Sequence, residues 1–244
     1  MKKENKENEV AFIWKEHHFH KIPYIYIKNA LKSDVIDRLN QLNIQIDAKP
    51  VPLFERGDAV EKADMKEVKD EHGSPYSNSN NSVTYYGDEL KWLDEEVASL
   101  IETHNNATWK FNPLNRIDNY EFVCFNEGGF IGEHTDISEI EQTDPKKYQN
   151  DEFGGRLLTQ VIHFSNKGDD YEGGILQIKN IFGFWFDVPL LDKGDIVLFP
   201  SIFAHKVTPV TKGKRITLTT FLTGTYPQKI QEFFNKKEST KEIK

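Results

Sequence analysis

Gly194 to Arg215 reads GDIVLFPSIFAHKVTPVTKGKR, and this stretch decides the fold class. Asp195 to Phe199 is a short branched and aromatic run that ends in the turn residues Pro200 and Ser201. Ala204 to Pro209 is a second extended run with His205 near its start, and Arg215 opens a third that continues to Leu222. Runs of this length, punctuated by Pro and Gly, belong to antiparallel all-β sandwiches and barrels. On the third run Arg215, Thr217, Thr219 and Phe221 project to one face, because side chains alternate along a strand.

The same texture extends upstream as far as Trp109. Tyr120 to Phe125, Leu157 to Phe164, Gly174 to Ile178 and Phe184 to Leu190 are further short strands by composition. Before Trp109 the pattern is different. Ile22 to Leu31 reads as one strand, and Ser33 or Asp34 caps a helix to Leu42 whose apolar face is Val35, Ile36, Leu39 and Leu42. Asp88 opens a second helix to about residue 104, with Leu90, Leu93, Val97, Leu100 and Ile101 at helical spacing. Between them, residues 50–82 turn charged and then polar, and read as a long loop with a short helix near Val60 to Val68 and the role of a substrate lid. Helices followed by at least seven close-spaced strands predict a mainly β protein with flanking helices. Residues 1–108 form a supporting region of the same domain, 109–226 the core, and 227–244 a charged tail.

Composition narrows the function. The 244 residues carry a net charge of −8, which argues against nucleic acid as a partner, since phosphate recognition needs a basic face. No apolar run approaches the roughly 20 residues of a membrane span. The N-terminal MKKENKENE lacks the apolar stretch of a secretory signal. One cysteine, Cys124, excludes an internal disulfide and suits a reducing compartment. These features predict a cytoplasmic protein of undetermined oligomeric state.

His134-Thr135-Asp136 places an imidazole and a carboxylate on one face of an extended segment. The motif alone recurs in unrelated surface turns. His205 supplies a third candidate ligand, and two histidines with one carboxylate make the facial triad of non-haem iron(II) oxygenases. Such a triad leaves three adjacent positions, two for a bidentate 2-oxo acid and one for dioxygen. Arg215 follows His205 by ten residues on a face that points inward, where a guanidinium is costly unless it meets an anion. Thr219 shares that face and can add a hydroxyl. His17, His18 and His20 also cluster, but surface or packing roles account for them.

From about Trp109 to Tyr226 the chain resembles the prolyl 4-hydroxylase-like family of iron(II)/2-oxoglutarate dioxygenases, and within it the PKHD-type hydroxylases. The resemblance lies in Phe125 to Asp136 (FNEGGFIGEHTD), Asp169 to Leu176 (DDYEGGIL) and Gly194 to Arg215. It implies a double-stranded β-helix, a jelly-roll or cupin-like barrel braced by N-terminal helices. It also implies Fe(II), 2-oxoglutarate and dioxygen, with ascorbate as an optional addition. Metal ligation falls to His134, Asp136 and His205, and the far carboxylate of 2-oxoglutarate to Arg215. His163 occupies a position where relatives often place Tyr or Gln beside that carboxylate, and Arg156 one where some relatives carry an entrance arginine. Phe125 and Ile131 depart from the pattern, standing where some relatives have tyrosines. The implied reaction hydroxylates an unactivated C–H, foremost that of a prolyl residue in a protein or peptide, and releases succinate and carbon dioxide. A free amino acid or other small-molecule substrate, and a non-catalytic metal-binding barrel, are the alternatives.

Overall fold

A computed structural model describes residues 23–41, 81–86, 90–111, 114–116, 120–137, 155–180, 182–189 and 191–224. The Val60–Val68 helix, the lid through residue 80, the cluster at His17, His18 and His20, and the tail all lie outside them.

Two helices and thirteen strands build the described part. In chain order they are β1 (Ile25–Ile27), α1 (Ser33–Gln41), β2 (Asn81–Tyr86), α2 (Lys91–Thr108), β3 (Asn115–Arg116), β4 (Tyr120–Phe125), β5 (Ile131–His134) and β6 (Gly155–His163). β7 (Tyr171–Gly173), β8 (Leu176–Lys179), β9 (Trp185–Asp187), β10 (Ile196–Pro200), β11 (His205–Val207), β12 (Val210–Gly213) and β13 (Arg215–Gly224) follow. The major sheet runs β1-β10-β6-β13-β4-β2, with β3 also on β13, and the minor sheet runs β5-β11-β8-β9. β12 and β7 pair separately. All named pairings are antiparallel. This is the expected double-stranded β-helix.

Several boundaries differ from expectation. β1 keeps only three residues of Ile22 to Leu31, because the chain turns at Asn29, whose φ is 52°. Asn81 and Ser82, assigned to the loop, instead begin β2, pairing with Phe125 and Cys124 of β4. α2 starts later and ends later than expected; its N-cap is Leu90, with no side-chain cap, and not Asp88. Burial of Leu93, Val97 and Ile101 positions this helix. At its far end the buried Asn105 side chain donates to Phe111 O (2.7 Å) and accepts from Phe111 N (3.0 Å), closing the turn into the barrel. The run expected from Gly174 starts late, at Leu176 of β8, since Gly173 (φ 72°) and Gly174 (φ 59°) turn the chain between β7 and β8.

The Gly194-Asp195 pair ties distant segments together. Asp195 is fully buried, and its carboxylate accepts from Tyr26 Oη (2.8 Å), Asn29 N (2.7 Å) and Asp192 N (3.1 Å). Burial and this carboxylate push the Tyr26 phenol up to about 12. On the backbone, His163 N donates to Asp195 O and Gly194 N to His163 O, both at 2.9 Å. The carboxylate therefore ties β1 to the entry of β10, and the backbone of the same pair holds the end of β6. Replacing Asp195 with Ala strands three donors and is expected to cost about 3 kcal/mol. Urea unfolding of Asp195→Ala checks this; a midpoint equal to that of the parent chain would refute the hub.

Candidate metal and co-substrate site

β5 and β11 lie side by side with His134 opposite His205. Directly opposed residues of an antiparallel pair project to the same side, so the two imidazoles meet, with centroids 4.2 Å apart. His134 Nδ1 lies 2.9 Å from Gly132 O, and His205 Nδ1 lies 3.0 Å from Phe203 O. A carbonyl only accepts, so each Nδ1 carries the proton and each Nε2 presents its lone pair. Asp136 leaves β5 just beyond His134, held by its own N–H to Ser201 O at 3.0 Å. Its Oδ1 is 3.7 Å from His134 Nε2 and its Oδ2 is 3.4 Å from His205 Nε2. One ligand atom from each of the three residues lies within 4.8 Å of the others. Burial, helped by His205, pulls His134 down to about 4 against the opposing pull of Asp136. Its imidazole is thus neutral near pH 7, the form that binds a metal ion. Two imidazole nitrogens and one carboxylate fit a divalent iron.

Around the triad stand residues that sequence reasoning did not find. Thr159 on β6 donates from Oγ1 to Asp136 Oδ2 at 2.5 Å. The buried Ser201 hydroxyl lies 3.1 Å behind it, and with the Thr159 proton committed to Asp136, Ser201 is the donor of that contact. Thr159 shares its strand face with Val161 and His163, so period-two counting back from His163 was the available signal. Phe199 packs edge-on against His205 at 4.7 Å.

Arg215 begins β13, 2% exposed, opposite Phe125. Its Nη2 donates to His163 Nε2 at 3.2 Å. Its guanidinium carbon sits 5.1 Å from the Phe125 ring centroid, so the phenylalanine gives a face where some relatives place a hydroxyl. Accepting at Nε2 puts the His163 proton on Nδ1. That Nδ1 and the Arg215 Nε are both buried without a partner. Among the described residues no carboxylate pairs with Arg215. A buried cation beside two orphan N–H donors is the environment that a carboxylate ligand satisfies. Burial lowers Arg215 to about 10, so it stays charged, and burial followed by Arg215 itself holds His163 well below its usual value. Gly174 provides the space: a Cβ there would lie 2.7 Å from Arg215 Cδ.

The other expected residues lie close by. Thr219 is on the Arg215 face of β13, between Val161 and Glu121, and no hydrogen bond joins it to Arg215. Arg156 donates to the Asp136 carbonyl oxygen at 3.1 Å and stacks 3.4 Å over Phe221. That places it against the triad's backbone. Ile131 pairs with Val207, three residues before His134.

Comparison with known proteins agrees with this geometry. Residues 120–223 match the 2OG-Fe(II) oxygenase superfamily. A PKHD-type hydroxylase of Teredinibacter turnerae is 30% identical over 111 residues, 46% of this chain and 45% of that relative. The chain thus spans less than half the length of several curated relatives it matches. A second PKHD-type hydroxylase, from Aliarcobacter butzleri, is 35% identical over 171 residues, 67% of this chain and 70% of the relative. In fold, the chain resembles a Trichoplax adhaerens prolyl hydroxylase solved with a hypoxia inducible factor peptide fragment, at 17% identity and a TM-score of 0.55. That match covers 91% of this chain and 93% of the other. No helix among the described residues is long and apolar enough to cross a membrane. On the strength of the Aliarcobacter match, which spans most of both chains, this protein belongs to the PKHD-type hydroxylases of the 2OG-Fe(II) oxygenase superfamily.

Proposed function

We propose that this chain is an iron(II)- and 2-oxoglutarate-dependent hydroxylase acting on a prolyl residue within a protein or peptide. The observation that carries the reading is two half-sites served from one face of β6: the triad of His134, Asp136 and His205, touched by Thr159, and the buried Arg215–His163 pair with its orphan donors. When bound, iron, 2-oxoglutarate and dioxygen together supply an oxidant that replaces C–H by C–OH, leaving succinate and carbon dioxide.

The chain's own contribution is position and exclusion of water. His134 and His205 offer Nε2 because the Nδ1 protons are held by Gly132 O and Phe203 O. Thr159 holds Oδ2 of Asp136, so Oδ1 would be the oxygen free to ligate the metal. Arg215 grips the distal carboxylate, with His163 Nε2 steadying one Nη2 and the unpartnered Nε left to donate. Thr219, one face position past Thr217, and Arg156, braced on the Asp136 backbone, are supporting contacts for co-substrate and entrance respectively. The polypeptide substrate rests on the family's prolyl hydroxylase structures, one of them solved with a peptide.

The direct test is mass spectrometry of proline-containing peptides incubated with the protein, Fe(II) and 2-oxoglutarate. One oxygen gained at proline, with equimolar succinate, is expected. Succinate with free proline as the sole oxidised substrate would overturn the polypeptide reading.

The two half-sites are expected to separate by mutation. Thr159→Val should weaken Mn(II) binding, followed by calorimetry, by about 10-fold or more, with Thr159→Ser restoring it. Arg215→Lys keeps charge but loses the planar fork, so 2-oxoglutarate affinity should fall about 10-fold while Mn(II) affinity holds. Unchanged titrations in either variant would remove that residue from its role.

His163 links stability to pH. Its folded pKa is depressed, so below its ordinary 6.5 the unfolded chain takes up a proton that the folded chain refuses. Its contribution therefore falls as pH drops below 6.5, by up to about 1.4 kcal/mol per pH unit. Metal-free protein should lose about 1 kcal/mol more than His163→Gln in urea unfolding between about pH 7 and about pH 5.5. Parallel pH profiles for the two proteins would refute the neutral buried imidazole.

A further inference from the structure

The minor sheet carries one row of side chains outward from the triad. His134 faces His205, His205 faces Ile178, and Ile178 faces Phe186 on β9. Opposed residues share a side, so Phe186 lies on the triad's side of the sheet, at its edge strand. β5 and β8 both run antiparallel to β11, and His134 and Ile178 lie level with His205 near their C-terminal ends. The β8–β9 turn therefore emerges at the end of the barrel from which Asp136 emerges.

This turn is stiff. Asn180 Oδ1 accepts from both Phe182 N and Phe184 N at 3.0 Å, and Asn180 N donates to Phe184 O at 2.9 Å. Gly183, with φ 86°, closes it. On this scaffold Phe182 is 60% exposed, Phe184 65% and Phe186 37%, and they are the exposed large hydrophobic residues among those described. Trp185, on the opposite side, lies between Lys206 (4.3 Å) and Lys179 (5.1 Å), so the hairpin's back face is already covered by cations. Three phenylalanines within five residues, fixed by backbone hydrogen bonds and continuous with the site, form an apolar patch that water alone solvates poorly.

We propose that Phe182, Phe184 and Phe186 form a docking rim for the substrate polypeptide, which crosses it as an extended, proline-rich segment. The inference rests on the prolyl hydroxylase reading and deepens it. Two strand spacings, about 10 Å, separate Phe186 from His205, and an extended chain covers that in about three residues. The rim therefore reads residues at and beyond about the third position from the one oxidised. Polyproline segments suit such a surface, because they lie preformed across exposed aromatic rings. Because a free amino acid cannot reach the rim, these phenylalanines would select for polypeptides.

The test uses the full chain loaded with Mn(II) and 2-oxoglutarate, and end-labelled poly-L-proline of three and ten residues, with binding followed by fluorescence anisotropy. A trimer centred on the metal reaches only about 3 Å to either side, short of the rim, whereas the decamer crosses it. The parent chain is expected to bind the decamer at least about 10-fold more tightly than the trimer. The double variant Phe182→Ser/Phe184→Ser should lose that difference, with its thermal midpoint and 2-oxoglutarate affinity unchanged, and Phe184→Tyr should keep it. No decamer binding by the parent chain, or parental decamer affinity in the double variant, overturns the rim. If binding follows length and phenylalanine content but no peptide gains oxygen once Fe(II) replaces Mn(II), the rim stands and the hydroxylase reading fails. If both proteins oxidise the decamer with equal KM, the hydroxylase reading stands and the rim fails.

Discussion

The candidate site depends on the register of β5 against β11. With His134 opposite His205, both imidazoles project to one side, and the chain leaving β5 brings Asp136 to them two residues later. A slip of one residue would send His134 to the outer face, because side-chain direction alternates strictly along a strand. Two flanking features hold the alignment. β11 is hydrogen-bonded on its other side to β8, and the Asp136 N–H is fastened to Ser201 at the end of the major sheet. The triad is thus a junction where the two sheets approach each other.

Arg215 shows the same dependence one layer deeper. Its inward direction follows from pairing with Phe125, and its partner His163 stands at the end of β6 because Gly194 and Asp195 hold both backbone groups of that residue. Space for the long side chain is supplied by Gly174, in the link between β7 and β8, which belongs to neither half of the pair. The guanidinium is buried beside a neutral imidazole instead of a carboxylate. An internal carboxylate would neutralise the cation and compete with an incoming anion. The arrangement keeps the charge available and leaves its cost to be offset on binding.

The residues of the site were legible because their chemistry is restrictive: His134, Asp136, His205 and Arg215 at their spacings leave few readings open. Tyr120 to Phe125 was equally clear, since its aromatic and branched composition agrees with its nearly continuous burial. β2 was hidden by the polar run that leads into it; its pairing with β4, not its first residues' propensity, makes Asn81 and Ser82 extended. The start of α2 misled because Asp88 resembles a cap, whereas packing of Leu93, Val97 and Ile101 sets the helix without one. Thr159 escaped notice because a threonine in a strand is ordinary until a carboxylate from another sheet is placed against it. Asp195 belongs to the same group, a partner of residues roughly 170 positions away.

That separation bears on how the chain is made. Tyr26 and Asp195 are 169 positions apart, so β1 emerges from a ribosome long before the strand it pairs with. At about 5–20 residues per second, the interval is roughly 10–30 s. During it the polar groups of Asn29 and Tyr26 have only water as partner, and the apolar side chains of Tyr24 to Ile27 lie open to solvent. Sheet closure therefore waits for β13, which zips against both β4 and β6 and is the last described strand to appear. A chain of this topology gathers its helices early and its barrel late, and the interval between is when aggregation competes with folding.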